Sequence, residues 1–507
     1  MSRWTRQRPL SSRARRREND ETRPTAGVED PVPEKKILLV NPPSRRPTLR
    51  DLYCSMTPRG GYNWAPVDLL VLSALLKERH DLAVLDAVAE GISFEAALVR
   101  AAAFRPRGIV SLVGSVTLED DLGWLQSLKQ KTSAPVLILG NISLDPDHKV
   151  LHDHPWIDGL IQDGAGPELA DYFDGDPAGT REYQGLVFRR NGQIRKSPSP
   201  ARQSTATLAY PPPRHDLFPL HRYRVPWMGA GKTTSMLASY GCVFSCGYCV
   251  HRRESIAPRL RPIDDVLREL DSLRDLGVKN IYFRDPIFAG TRENALALTS
   301  AMGKRNYPFS WAGSLRIETS SGELLGAMRA AGCRWVAVGI ESANADVLEK
   351  YRKPLPLEQI KSFIRQCHAA GLLAAGYFIL GLPGEDVRSV RETIDFAVAS
   401  ELDFATFTVP VPDYGTTFRK EAENTETGNG GEPFDRGNPR RGLRTTISEE
   451  EYRGLFKEAY RRMYFRPSYV FRMACRLRGV GEWRGAFAHA GRLFWDVWRG
   501  GGEVRKR

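Results

Sequence analysis

Three of the seven cysteines in this 507-residue chain fall within eight positions, Cys242, Cys246 and Cys249, in a C-x3-C-x2-C spacing. Three thiolates converging from one loop can hold three irons of a [4Fe–4S] cluster and leave the fourth iron without a protein ligand. A closed electron-transfer cluster takes four cysteines, so the spacing argues for an iron open to chemistry rather than an iron–sulfur scaffold. The loop follows a strand-like run, Thr234 to Ser239. The rest of the chain has to explain what an open iron at a strand end would meet. An odd number of cysteines, three of them clustered, speaks against a disulfide framework and for a reducing, cytoplasmic setting.

The charge is unevenly placed. Net charge is +13, with seven arginines and no acid in residues 1–17, and 14 Lys/Arg against 7 Asp/Glu in residues 449–507. The ends carry the excess and the middle is nearly neutral. Residues 1–34 have almost nothing to bury and read as a disordered basic arm. No stacking motif or RNA-binding module accompanies the basic ends, so nucleic acid is not the expected partner.

From Lys36 onward strands and helices alternate. Ile37-Leu38-Leu39-Val40 opens a series of five strands whose helices include Pro66–Glu78, Phe94–Ala103 and Leu118–Leu128. This predicts a doubly wound parallel sheet over residues 35–175, with ligand residues beyond the strands' carboxyl ends. The candidates there are Asn41, Ser115, Thr117, Gly140, Asn141 and Gly164, several of them small enough to admit a large flat ligand. No G-x-G-x-x-G follows the first strand, which argues against a dinucleotide. Residues 176–233 read as a linker with a hairpin near Gly185–Ile194.

After the cysteine loop, five more strands alternate with helices up to about residue 420, giving six β/α units with the strand before the cysteines. Six units are fewer than the eight of a closed barrel and predict an open, six-stranded partial (β/α) TIM-type barrel over 234–420. Asp285, Arg316, Glu341 and Glu385 all fall at its carboxyl strand ends, with the cysteine loop. Residues 421–447 read as a loop. Residues 448–507 read as a basic helical C-terminal region carrying Phe465, Phe471, Trp483, Phe487, Phe494, Trp495 and Trp498. Two readings stand for it: a domain cap with snorkelling arginines, or peripheral contact with an anionic membrane surface.

The cysteine triplet, with Tyr248 just before its last member, resembles the radical S-adenosylmethionine superfamily. Phe283-Arg284-Asp285, Gly339-Ile340-Glu341-Ser342, Gly381-Leu382-Pro383-Gly384-Glu385 and Pro412-Asp413-Tyr414-Gly415-Thr416 follow in the matching order. The first domain, with Leu38-Leu39-Val40-Asn41-Pro42-Pro43 and Asp163-Gly164-Ala165-Gly166-Pro167-Glu168, is similar to a Rossmann-like (flavodoxin-like) cobalamin-binding domain. Together these resemble the cobalamin-binding class B radical methylases over roughly residues 35–420.

The resemblance implies a [4Fe–4S] cluster on Cys242, Cys246 and Cys249, S-adenosylmethionine on the open iron, and its cleavage to a 5′-deoxyadenosyl radical. It implies S-adenosylmethionine contacts from Asp285, Arg316, Glu341, Gly381 and Gly384, and cobalamin contacts from the six residues of the first domain. It also implies an electron donor such as flavodoxin or ferredoxin. No D-x-H-x-x-G motif is present, which fits the subgroup that holds cobalamin without a histidine ligand. The expected activity is methylation of an unactivated carbon in a lipid-like or natural-product small molecule. A cobalamin-associated cyclase or rearrangement enzyme without methyl transfer is the alternative. A methylthiotransferase would need three more N-terminal cysteines, and only Cys54 is there.

Overall fold

The computed structural model describes residues 35–45, 47–164, 168–175, 181–197, 207–225, 228–251, 258–423, 446–476 and 491–492. The basic arm, most of the 421–447 loop, and Trp483, Phe487, Phe494, Trp495 and Trp498 lie outside them. The described residues from Lys35 on cluster as one compact unit.

The first sheet begins with β1 (Lys36–Asn41), β2 (Asp81–Asp86), β3 (Gly108–Leu112), β4 (Val136–Leu139) and β5 (Gly159–Ile161), all parallel, in the order β2-β1-β3-β4-β5. This is the flavodoxin-like order, whose switch point lies between β1 and β3. β1 reads as an unbroken apolar run because both its faces are covered. Ile37 and Leu39 share a core with Leu69, Leu70 and Leu72 of α1 (Val67–Leu76), whereas Leu38 and Val40 share another with Ala97 and Ala101 of α2 (Phe94–Ala103) and Trp124 and Leu125 of α3 (Leu118–Thr132). The hairpin β6 (Leu186–Arg190) and β7 (Gln193–Lys196) extends the sheet antiparallel beyond β5. The segment after it is packed rather than loose: Leu208, Tyr210, Phe218, Leu220 and Tyr223 are all buried, and Tyr223 donates to Asp86 at 2.8 Å.

The second sheet runs β8 (Thr233–Met236), β9 (Asn280–Phe283), β10 (Ser310–Leu315), β11 (Cys333–Glu341), β12 (Leu373–Ile379) and β13 (Phe404–Thr408). All six are parallel and neighbour one another in chain order, so the sheet is the open six-stranded arrangement, with β8 and β13 at its edges. An edge strand leaves a row of unpaired backbone groups that must be covered. The C-terminal helix α4 (Glu449–Tyr464), started by a Ser448/Glu451 capping box, covers them here. The Tyr464 hydroxyl accepts from Ala405 N at 3.0 Å and donates to Ala405 O at 2.6 Å; the Tyr460 hydroxyl does the same at Phe407, at 3.3 and 3.2 Å. Tyr460 and Tyr464 of α4 therefore cover the edge strand β13. Phe465 and Phe471, just beyond α4, are exposed. No helix among the described residues is long and apolar enough to cross a membrane.

Candidate active site at the cysteine loop

The strand before the cysteines is shorter than expected. β8 ends at Met236, and Ser239–Tyr240 pairs instead with Arg259–Leu260 in a two-stranded ribbon that carries the chain into the loop. Asp285 anchors this junction: it accepts from Ala238 N (2.9 Å), Ser239 Oγ (3.1 Å) and Ala289 N (2.7 Å), so both oxygens are committed inside the protein. Burial, opposed by those donors, raises its pKa to about 6.

The loop itself is clamped from the far side of the barrel. Gly247 N donates to Tyr351 O at 2.9 Å, Phe418 N donates to Gly247 O at 3.3 Å, and a Cβ on Gly247 would stand 3.2 Å from the Tyr351 ring. None of Cys242, Cys246 and Cys249 is in a disulfide; Cys246 is buried and the other two half-buried. Arg316, after β10, donates from Nη1 to Cys246 Sγ at 3.0 Å, lies 3.8 Å from the Phe244 ring centroid and pairs with Glu318. A guanidinium against a sulfur ligand balances the negative charge of a thiolate-ligated centre. Among the described residues no three His, Cys, Asp or Glu side chains close around a single ion. A [4Fe–4S] cluster asks instead for one thiolate per iron, and three cysteines outside any disulfide on one clamped loop fit that demand.

Glu341 closes β11 in an unusual backbone. Its φ is +67°, and the β11–β12 register shifts between Gly339 and Glu341. A left-handed conformation in a non-glycine residue costs on the order of 1 kcal/mol and persists where surroundings hold it. Here Lys353 Nζ donates to Glu341 Oε1 at 2.7 Å and the Tyr248 hydroxyl donates to the same oxygen at 3.0 Å. Burial first, then the Glu341 carboxylate, push the Tyr248 pKa well up and keep it a donor. The pair therefore ties a strand end to the residue preceding Cys249. Gly339 permits this, since a Cβ there would lie 2.1 Å from Glu341 Oε1.

The Gly381–Gly384 turn has a different logic. Glu385 accepts from Gly381 N (3.0 Å), Leu382 N (2.8 Å) and Ser342 Oγ (2.5 Å) and so braces the turn from within. Gly381 has φ +81°, and the space of its missing Cβ is filled by the Tyr452 hydroxyl, 1.9 Å away. The glycine admits α4 there. Gly384 has φ +106° and, among the described residues, only Val347, at 3.9 Å, near its missing Cβ.

Of the first-domain candidates, Asn41 and Thr117 are held by Arg50, a residue the sequence did not single out. Arg50 sits on a ribbon, Leu49–Asp51 with Cys54–Met56, beyond the β1 and β3 ends. It donates to Asn41 Oδ1 (2.9 Å), Thr117 Oγ1 (3.1 Å) and Asp121 (2.6 and 2.9 Å), and the Arg50–Asp121 side chains are fully buried. A Cβ on Gly140 would stand 1.8 Å from Val113 O, so its small size serves the sheet. Ser115 and Asn141 bond to each other at 2.9 and 3.2 Å near the rim. Gly164 keeps ordinary room: Asp68 Oδ1 is 3.6 Å and the Tyr240 hydroxyl 4.0 Å from its missing Cβ; Ala165 and Gly166 lie outside the described residues.

Those last distances show that the two carboxyl edges meet. Arg259 pairs with Asp163 at 2.7 Å and lies 4.7 Å from the Tyr240 ring centroid, and Tyr53 donates to the Tyr240 hydroxyl at 2.6 Å. Arg284, after β9, pairs with Asp51 at 2.7 Å. A cavity of about 290 Å³ beside this junction is lined by Tyr240, Cys242, Val243, Arg259, Leu260 and Thr291, among others.

Residues 236–397 match the family model described as the Radical SAM superfamily. An uncharacterized methyltransferase of Pyrococcus horikoshii is 27% identical over 391 residues, 75% of this chain and 82% of that protein. The radical S-adenosylmethionine methyltransferase TsrM of Kitasatospora setae, solved with cobalamin and a [4Fe–4S] cluster, superposes with a TM-score of 0.59 at 20% identity, over 83% of this chain and 85% of the other. The cobalamin-dependent S-adenosylmethionine radical enzyme OxsB, solved with aqua-cobalamin and S-adenosylmethionine, gives 0.64 at 14% identity, over 91% and 72%. At these identities the two structures establish a shared fold. The family match takes in the cysteine loop and strands β9 to β12 of the open parallel sheet, so residues 236–397 form a Radical SAM domain and the chain is an enzyme.

Proposed function

We propose that this enzyme is a cobalamin-dependent radical S-adenosylmethionine methyltransferase acting on an unactivated carbon of a small molecule. The observation that carries the reading is the meeting of the two carboxyl edges: Asp163 and Gly164 at the end of β5 stand against Arg259 and Tyr240, two residues before Cys242. A methyl carrier at the first edge and a radical source at the second would then share one space. When bound, the cluster supplies the electron that cleaves S-adenosylmethionine to a 5′-deoxyadenosyl radical, and cobalamin supplies the methyl group.

The protein's own part is to bind, orient and shield. Cys242, Cys246 and Cys249 would hold the cluster, with Arg316 as counter-charge at Cys246. Glu341, fixed through one oxygen by Lys353 and Tyr248, has its other oxygen to offer a ribose hydroxyl, and Gly384 leaves backbone open beside it. Ser115, Asn141 and Gly164 are the first-domain residues left to meet a corrinoid, since Arg50 engages Asn41 and Thr117. An external one-electron donor, such as a flavodoxin or ferredoxin, would reduce the cluster.

The test is corrinoid content. Protein purified without oxygen from cells grown with hydroxocobalamin should carry about one corrinoid per chain by its visible spectrum. Protein without corrinoid under those conditions would overturn the methyltransferase reading.

A further inference from the structure

β10 ends at Leu315, and a single tight turn, Ile317–Thr319, follows at once. The Thr319 backbone N–H and hydroxyl both donate to Arg316 O, at 3.2 and 3.1 Å, and Ile317 is buried. The turn is therefore anchored to the strand end and to the core, and the Arg316 backbone between them is held in place. Glu318 lies two residues on in the same turn, within reach of the Arg316 side chain.

The guanidinium is fixed by three neighbours. Nη1 donates to Cys246 Sγ at 3.0 Å, Cζ lies 3.8 Å from the Phe244 ring centroid, and Nε (3.3 Å) and Nη2 both donate to the Glu318 carboxylate. The Arg316 side chain is 11% exposed and that of Glu318 30%. A carboxylate taken by two parallel N–H donors is the pairing that suits a planar guanidinium best. Glu318 already fills that fork, so the carboxylate of S-adenosylmethionine could enter it only by displacing Glu318.

What Arg316 reaches instead is a sulfur. Hydrogen bonds to the ligand sulfurs, local charge and solvent exposure are what a protein uses to set an iron–sulfur potential. An N–H donor and a positive charge against Cys246 stabilise added electron density on that sulfur, so they favour the reduced state over the oxidised one. Solvent screens a side chain this buried only weakly. The Glu318 carboxylate acts in the opposite sense, but it stands beyond the guanidinium and partly in water, so it offsets only part of the effect.

We propose that Arg316 and Glu318 together set the reduction potential of the cluster: Arg316 raises it through Cys246, and Glu318 lowers it while holding the guanidinium in position. In the step concerned one electron passes from an external donor to the iron–sulfur core. No bond breaks and no proton moves, and the core with its three thiolates gains one negative charge. Arg316 favours the product of that step and so widens the range of donors able to drive it. The assignment rests on the cluster reading and is independent of methyl transfer.

The test is a dithionite titration of full-length protein reconstituted with iron and sulfide, without S-adenosylmethionine, read by the electron paramagnetic resonance signal of the reduced cluster. Arg316→Met should move the oxidised–reduced equilibrium at least tenfold toward the oxidised form, a fall of about 59 mV in midpoint potential for a one-electron couple. Arg316→Lys keeps the charge without the fork and should fall by less. Glu318→Gln keeps an acceptor for the guanidinium, removes the opposing charge and should raise the midpoint. An Arg316→Met midpoint equal to wild type would overturn the proposal. So would a fall seen only with S-adenosylmethionine present, the signature of a carboxylate contact. If Arg316→Met takes up no iron, Glu318→Gln decides: a rise supports the proposal, and an unchanged or lower midpoint overturns it. A wild-type protein that takes up no cluster overturns the cluster reading along with the proposal, and its lack of iron distinguishes that result from unchanged potentials.

Discussion

Replacing Gly339 by alanine perturbs the centre of the site by one methyl group. The new Cβ would stand 2.1 Å from Glu341 Oε1 and 2.7 Å from Lys353 Nζ. Both are side-chain ends that can shift, but in a pair only 10% and 7% exposed the shift that clears the methyl parts the carboxylate from the ammonium. The pair must break, and parting one buried ionic partner from the other costs about 3–5 kcal/mol. Glu341→Ala leaves Lys353 without its carboxylate and should cost a similar amount. The double variant is informative, because with Glu341 shortened the alanine at 339 no longer meets its oxygen. Gly339→Ala/Glu341→Ala should then be no less stable than Glu341→Ala alone, a coupling of about 3 kcal/mol. Thermal shift of the four proteins gives the ranking. Additive losses, with the double variant lowest by the sum, would refute the claim that Gly339 exists to admit the Glu341–Lys353 pair.

Other consequences follow from particular contacts. Arg50→Met strands the fully buried Asp121 carboxylate and should cost about 3–5 kcal/mol, whereas Arg50→Met with Asp121→Leu should recover much of it; thermal melts check both. Tyr460→Phe and Tyr464→Phe each unpair an N–H and a C=O of edge strand β13 and should cost about 1–3 kcal/mol apiece, with faster amide exchange at Phe407 and Ala405 respectively. Burial, and then the neighbouring Asp51, push the Asp68 carboxyl from 3.8 up to about 7. A carboxylate raised on folding favours the folded state when protonated, so stability is lost as pH climbs from about 4 to about 7. Asp68→Asn, which can still accept from Leu52 N, should flatten that part of the stability–pH curve.

What could be read from the chain beforehand was what local pattern determines. Strands buried on both faces, such as Ile37–Val40 and Val136–Leu139, announce themselves as apolar runs, and the helices between them by their 3.6 period. The cysteine loop was legible because its chemistry is written in spacing. The unread parts depend on pairings between distant positions. Arg50 finds Asp121 across 71 residues, Tyr452 finds Gly381 across 71, and Tyr464 finds Ala405 across 59. Gly381 and Gly140 read as openings for a ligand, yet each is small because another part of the protein presses on it.

The most direct measurement is S-adenosylmethionine cleavage by protein reconstituted with iron and sulfide in the absence of oxygen, compared between wild type and Cys246→Ala. With dithionite as reductant, wild type should release 5′-deoxyadenosine and Cys246→Ala should release none, having lost one of the three thiolates a cluster needs. Formation of 5′-deoxyadenosine by Cys246→Ala at the wild-type rate would contradict the assignment of Cys242, Cys246 and Cys249 as the cluster site on which the account rests.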